Sequence, residues 1–119
     1  MNQFLVFSLG DSEFSVPLLR VKSVVLLPRV APVPYMPSHF KGIINVRGEI
    51  ISVVDPKKKL NILTEIARPE HSVIIFEHGA QSRGIAVDSV NRVLTVIEGV
   101  ETPTPPALDI EATLDIGAQ

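Results

Sequence analysis

The stretch from residue 40 to residue 55 constrains the fold more than any other part of the chain. It consists of an apolar run, a polar interruption at residues 45–49 and a second apolar run. Gly48 lies where the chain must turn, and glycine adopts positive φ without strain. Runs rich in Ile and Val on both sides of a turn are typical of strands. We therefore predict a β-hairpin or a tight strand connection, with Arg47 at or near its tip, beside Glu49.

Short apolar runs separated by turn residues recur along the rest of the chain. Residues 4–9 are apolar on both faces of a strand, whereas residues 13–18 alternate, which predicts one buried face and one wet face that carries Ser15. Glycine and polar residues at 10–12 indicate the turn of a hairpin between them. About eight such strands, with little helix, predict an all-β barrel or sandwich.

Helix is expected at only a few places. Asp55 and Pro56 have the residue types of an N-cap and a first helical position. The three lysines that follow, 57–59, oppose the helix dipole, so this helix should be short. Residues 108–116 allow one more helical turn. Prolines make residues 28–38 a stiff, extended crossing rather than a flexible linker.

The composition indicates which residues form the core, in which compartment the protein lies and which kinds of partner are excluded. With 119 residues, 45% apolar and 5% aromatic, the chain fits a single domain whose core consists of Val, Ile and Leu. The net charge of −2 gives no general attraction to nucleic acid or to anionic lipid. The absence of cysteine excludes disulfides and cysteine-based zinc or redox sites. No signal peptide and no apolar run of about 18 residues is evident, so we expect a cytoplasmic domain with no direct membrane insertion.

No combination of residues predicts catalysis or a cofactor. The histidines, at positions 39, 71 and 78, lack the spacing of a helical metal motif. Asp55 and Asp88 could form a carboxylate pair for acid–base chemistry, but aspartate at the end of a strand more often caps a turn. We therefore expect a protein that is not an enzyme and that binds no metal or cofactor.

Three segments together resemble the CheW-like domain family. Residues 40–49, F-K-G-I-I-N-V-R-G-E, and residues 53–55, V-V-D, match its signature of glycine, asparagine and arginine at fixed offsets. Residues 4–16 resemble the opening hairpin of the family. Residues 83–90, R-G-I-A-V-D-S-V, resemble a later element of it.

The resemblance implies both a fold and a function. The fold would be two small β-barrel subdomains packed side by side, with a groove between them. The function would be that of a non-enzymatic adaptor in bacterial chemotaxis, which couples the cytoplasmic tip of a chemoreceptor to a CheA-type histidine kinase. The residues that match the family's receptor-binding motifs are Asn45, Val46, Arg47, Gly48, Asp88 and Val90.

One difference from the family concerns the C-terminus. Family members continue past residues 116–117 into a last apolar strand, whereas this sequence stops at Gln119. We therefore expect a single CheW-like domain over residues 1–119 that is shortened, naturally short or completed by another chain. A missing strand would leave an open sheet edge, which favours homo-oligomers. Two alternatives are a CheW-like module of a larger signalling protein and an unrelated β-barrel that binds a small ligand or a peptide.

Overall fold

The computed structural model describes residues 1–65 and 67–115 of the chain. Eight strands dominate this part of the chain, and the helices are short, so the predicted all-β class is confirmed. The strands are β1 (Asn2–Leu9), β2 (Ser12–Pro17), β3 (Val21–Leu26), β4 (Phe40–Val46), β5 (Glu49–Val54), β6 (Ser72–His78), β7 (Gln81–Val87) and β8 (Ser89–Val96). The helical segments are a 3-10 turn at Leu18–Arg20, α1 (Pro56–Lys59) and α2 (Ile110–Leu114).

The strands form two sheets, one of three strands in the order β2-β1-β8 and one of five strands in the order β3-β6-β7-β5-β4. All neighbouring strands are antiparallel except β5 and β7, which run parallel. The expected closed barrels do not form within the described residues, because the edge strands β3 and β4 do not pair with each other. The connection between them is rich in proline, which lacks an N–H donor, although Ala31 within it pairs with Ile43 of β4.

Strand β6 lies in the middle of the core, and both of its faces are buried. Ile74 and Phe76 pack with side chains of β1, β2, β7 and α2, whereas Val73 and Ile75 pack with side chains of β4 and β5. Alternate residues of one strand therefore serve two apolar clusters, as a side-chain period of two requires. The first cluster joins the two sheets, and the second lies on the opposite face of the five-stranded sheet.

The segment after β8 returns along the outer edge of β2. The amide of Ser15 donates to the carbonyl of Pro106 at 2.9 Å, and the amide of Leu108 donates to the carbonyl of Ser15 at 2.9 Å. The Ser15 hydroxyl donates to the carbonyl of Pro105 at 2.9 Å. Ser15 is consequently only 1% exposed. The prediction of a wet face is wrong at this residue, because the returning segment covers it.

Both α-helices lie where the sequence predicts them, and each begins after an aspartate. Oδ1 of Asp55 accepts hydrogen bonds from the amides of Lys57 at 3.0 Å and Lys58 at 3.4 Å. Oδ1 of Asp109 accepts from the amide of Ala112 at 3.1 Å. These side chains bind amides that have no partner within the helix. Asp55 therefore has the capping role that its position after a strand suggested.

Candidate functional site

The predicted hairpin is formed by β4 and β5, and Arg47 and Gly48 are the two residues of its turn. Val46 pairs with Glu49 across the turn. The φ angle is 52° at Arg47 and 85° at Gly48, and positive φ at both positions is what a type I′ turn requires. Oδ1 of Asn45 accepts a hydrogen bond from the amide of Gly48 at 3.0 Å. The structure thus confirms a hairpin with Arg47 at its tip, and gives Asn45 a role in holding the turn.

Arg47 occupies a backbone conformation that its residue type disfavours. The left-handed region costs a residue other than glycine about 1–2 kcal/mol. The side chain of Arg47 is exposed, and within residues 1–65 and 67–115 it makes no hydrogen bond or ion pair. A strained residue whose side chain does not support the fold is a candidate for a functional contact.

A cavity of about 230 Å³ opens beside Arg47. Apolar side chains of β4, β5 and β6 form one part of its wall, and polar side chains of β3 and β5 form another part. An apolar wall with charged groups beside it can hold an apolar side chain of a partner while ion pairs orient it. The lining residues are Lys22, Ser23, Val46, Arg47, Glu49, Ile51 and Ile75.

Lys22 organises the charged side of this cavity. Its Nζ donates to Oγ of Ser82 at 2.7 Å and to Oε1 of Glu49 at 3.3 Å, and it lies 3.9 Å from Oε1 of Glu77. Hydrogen bonds from the Ser82 hydroxyl and the Lys22 ammonium lower the pKa of the Glu49 carboxyl below its ordinary value of 4.5. Glu49 is therefore ionised at neutral pH and already paired with Lys22, which leaves Arg47 available for an external group.

The contribution of Lys22 and Ser82 was not predicted from the sequence. Lys22 belongs to β3 and Ser82 to β7, and both reach the hairpin only because the order of strands in the sheet brings them there. Local patterns predict strands but not which strands lie side by side. A charged residue at the start of the β3 segment was the only available signal.

Asp88 lies at the other end of the five-stranded sheet from Arg47. Strands β5 and β7 are parallel, with Ser52 beside Arg83, so the turn before β5 and the residue after β7 are separated by at least the length of β7, roughly 20 Å. Asp88 is only 8% exposed. Its Oδ1 accepts a hydrogen bond from Nζ of Lys57 at 2.8 Å. The structure therefore does not place Asp88 on a common surface with Arg47.

Val90 lies in β8, which belongs to the three-stranded sheet. It pairs with Phe7 of β1, is half-buried and packs against the first apolar cluster. Of the residues that match the family's binding motifs, those at 45–48 thus come together at one turn. Asp88 and Val90 lie elsewhere.

Other candidate groups in the described part of the chain have local explanations. No three His, Cys, Asp or Glu side chains of residues 1–65 and 67–115 come together as a metal site requires. Nδ1 of His78 lies 3.3 Å from Oε1 of Glu111, which itself pairs with Arg20 at 2.6 Å. These contacts hold α2 against β6 and the 3-10 turn. In the same residues, no helix is long and apolar enough to cross a bilayer.

The CheW-like domain family matches residues 3–114 of the chain. The chain belongs to this family. Among the relatives of the CheW-like domain, Chemotaxis protein CheW of Rhizobium meliloti (strain 1021) is 29% identical over 98% of this chain and 76% of its own length. Chemotaxis protein CheW of Bacillus subtilis (strain 168) is 27% identical over 97% of this chain and 74% of its own length.

A solved structure supports the same assignment. The scaffolding protein TtCheW from Thermoanaerobacter tengcongensis is 32% identical and superposes with a TM-score of 0.75, over 91% of this chain and 74% of that chain. The resemblance inferred from the signature at residues 40–49 is therefore confirmed. An unrelated ligand-binding β-barrel, one of the alternatives, is contradicted by membership of the CheW-like family.

Proposed function

We propose that this domain couples a chemoreceptor to a CheA-type histidine kinase in the cytoplasm, without catalysing a reaction itself. It is a chemotaxis adaptor of the CheW-like family, and its relatives include a scaffolding protein. An adaptor of this kind acts by assembly. It holds two partners in contact, so that a conformational change in one shifts the populations of the other.

The geometry at Arg47 is the observation that carries the receptor part of the proposal. The turn projects a guanidinium group that has no partner among the described residues, beside a cavity with an apolar wall. A guanidinium presents several donors in a rigid plane, which suits carboxylate or carbonyl oxygens of a partner. Since Lys22 already neutralises Glu49, the carboxylate next to Arg47 does not compete with that partner.

This arrangement fits the side of a helix in the cytoplasmic tip of a chemoreceptor. One apolar side chain of the helix would enter the cavity beside Val46 and Ile51. A carboxylate one helical turn away would reach Arg47, because residues three and four apart lie on the same face of a helix. Asn45 contributes by holding the turn, through its hydrogen bond to the amide of Gly48.

Replacing Arg47 by alanine tests this contact. We expect Arg47→Ala to weaken binding to a soluble chemoreceptor fragment by ~1–3 kcal/mol, the range for a lost charge-assisted contact at the centre of an interface. The melting temperature should barely change, because exposed substitutions usually alter stability by under ~0.5 kcal/mol. Isothermal titration calorimetry measures the first quantity and thermal unfolding the second.

Arg29→Ala is the matched control. Arg29 is also exposed, but it follows the end of β3, where Leu26 pairs with Ser72 at the far end of the sheet from the hairpin. Its removal should leave receptor affinity unchanged. Equal affinities of wild type and Arg47→Ala would refute the contact, and a large fall in melting temperature would mean that Arg47 supports the fold instead. A CheW-like module within a larger signalling protein would give the same results, since it would use the same turn.

A further inference from the structure

The chain leaves one sheet and enters the other at Asp88. Strand β7 of the five-stranded sheet ends at Val87, and β8 of the three-stranded sheet begins at Ser89. Asp88 is therefore a joint of a single residue between the two sheets. Because the joint is so short, only a few backbone torsion angles determine the angle between the sheets. Contacts that fix the conformation of Asp88 therefore also fix that angle.

The backbone and the side chain of Asp88 both form hydrogen bonds with the hairpin of β1 and β2. The amide of Asp88 donates to the carbonyl of Ser8 at 3.1 Å. Oδ2 of Asp88 accepts from the amide of Gly10 at 2.7 Å. These bonds hold the joint against the three-stranded sheet, and one oxygen of the carboxylate remains for the other sheet.

A chain of alternating charges connects the remaining oxygen to the five-stranded sheet. Oδ1 of Asp88 binds Nζ of Lys57 at 2.8 Å, Lys57 lies 3.5 Å from Oε2 of Glu70, and Oε1 of Glu70 binds Nζ of Lys41 at 2.7 Å. Lys57 belongs to α1, directly after β5, and Lys41 belongs to β4. The chain of charges thus extends from the joint to the edge strand of the five-stranded sheet.

These charged side chains are largely excluded from solvent, so the strength of their ion pairs depends on their geometry. The side chains of Asp88, Lys57 and Glu70 are 4%, 15% and 17% exposed. Burial disfavours the charged form of Lys57, but the hydrogen bonds and charges of Asp88 and Glu70 outweigh it and raise the pKa of the ammonium above its ordinary value of 10.5. Apolar packing between the sheets is non-directional, whereas ion pairs of low exposure are strong only in good geometry.

We propose that the charge chain Asp88–Lys57–Glu70–Lys41 sets the relative orientation of the two sheets, and that Asp88 is the positioning residue between them. This role differs from the direct receptor contact that the family motif suggests for Asp88. It goes beyond the proposed function, because it concerns the domain with no partner bound.

Spin labels can measure the arrangement of the two sheets in the folded protein. The chain has no native cysteine, so Ser12→Cys in β2 and Ile50→Cys in β5, both exposed, place one label in each sheet. Pulsed electron–electron double resonance then gives the distribution of distances between the labels. We expect a shifted or broader distribution in Asp88→Asn and Lys57→Met, with an unchanged circular dichroism spectrum.

Arg92→Gln is the matched control for these variants. It also removes a short ion pair, 2.7 Å between Nη1 of Arg92 and Oε2 of Glu13 against 2.8 Å between Lys57 and Asp88, but Arg92 and Glu13 both belong to the three-stranded sheet. The distance distribution should therefore equal that of the wild type. A distribution in Arg92→Gln that changes as much as in Lys57→Met would count against the proposal, because it would show a general response to lost charges.

Glu70→Gln keeps the test decisive if Asp88→Asn does not fold. Glu70 lies outside the strands. Glutamine at this position is neutral and of nearly the same size, so it removes the ion pairs with Lys57 and Lys41 without changing the packing. An unchanged distance distribution in folded Glu70→Gln and Lys57→Met would overturn the proposal. Since no receptor or kinase is present in the measurement, failure of the proposed function would not affect the outcome.

Discussion

At the scale of single residues, Arg47 shows a conflict between stability and function. Its φ of 52° is one that glycine adopts at no steric cost. We therefore expect Arg47→Gly to raise the free energy of unfolding by roughly 0.5–1 kcal/mol, the relief of left-handed strain less the greater entropy of an unfolded glycine. Urea denaturation measures this change, and receptor binding should fall as in Arg47→Ala.

The control for this prediction is Arg29→Gly. The φ angle of Arg29 is not positive. Glycine at this position therefore relieves no strain and only increases the conformational entropy of the unfolded chain, which should lower the stability. If Arg47→Gly were as destabilising as Arg29→Gly, the turn would not be strained at Arg47. The arginine would then need no functional explanation.

The sequence allowed some of these residue properties to be predicted and not others. Positive φ at Gly48 follows from its residue type, and so does the capping by Asp55. Positive φ at Arg47 does not, because arginine has no preference for that region and only the two-residue spacing between β4 and β5 imposes it. Burial of Asp88 was also not predictable, since a carboxylate is usually exposed and its partner Lys57 lies in a distant segment.

At the scale of elements, the edge of β4 explains the glycine in the signature. A Cβ atom at Gly42 would lie 2.4 Å from the carbonyl oxygen of Ala31 and 2.6 Å from Cγ1 of Val30, and φ there is 146°. The backbone of the proline-rich connection thus approaches β4 too closely for a side chain. We expect Gly42→Ala to lower the free energy of unfolding by ~2–4 kcal/mol, through overpacking and backbone strain.

Gly79→Ala separates these two causes. Gly79 has a φ of 64°, but a Cβ atom there would meet no heavy atom within 4 Å. Its substitution should therefore cost only about 1 kcal/mol, from the backbone alone. Equal losses of stability for Gly42→Ala and Gly79→Ala in chemical denaturation would contradict the close approach of Ala31 to β4.

Strands and helices were easier to predict than the pairing between distant segments. The alternation of apolar residues and the turn residues predicted the hairpins of β1 with β2 and of β4 with β5, as the structure confirms. The return of residues 105–108 along β2 does not follow from the sequence, because prolines indicate a stiff segment but not the strand against which it lies. Its consequence, the burial of Ser15, depends on hydrogen bonds between segments about 90 residues apart.

At the scale of the whole molecule, the two sheets are joined by charges whose contribution depends on pH. The pKa of Lys57 is raised in the folded protein, so its contribution to stability is complete below its ordinary value of 10.5 and is lost as the pH rises through the higher folded value. We therefore expect the stability difference between wild type and Lys57→Met to be largest near neutral pH and to shrink above about pH 10.5. Urea denaturation at a series of pH values measures it. A difference that is constant with pH would contradict the ion pair.

The outer edge of β8 raises the question of self-association. The edge of β2 is paired with residues 106–108, whereas no strand within residues 1–65 and 67–115 pairs with the outer side of β8. Unpaired edges with exposed apolar side chains are templates for another strand, and Val93 on β8 is 48% exposed. We propose that β8 pairs with β8 of a second molecule, which is one way in which an open sheet edge can produce the homo-oligomer expected from the sequence.

Light scattering over a range of protein concentrations tests this pairing. The apparent mass should rise with concentration in the wild type, and Val93→Lys should abolish the rise, because a lysine on an edge strand opposes pairing with a second copy. Val100→Lys is the control, since Val100 is similarly exposed at 57% but lies outside the strands. A constant monomer mass at every concentration would exclude association through β8. A rise that persists in Val93→Lys would place the contact on another surface, because a charge on the β8 edge opposes pairing there.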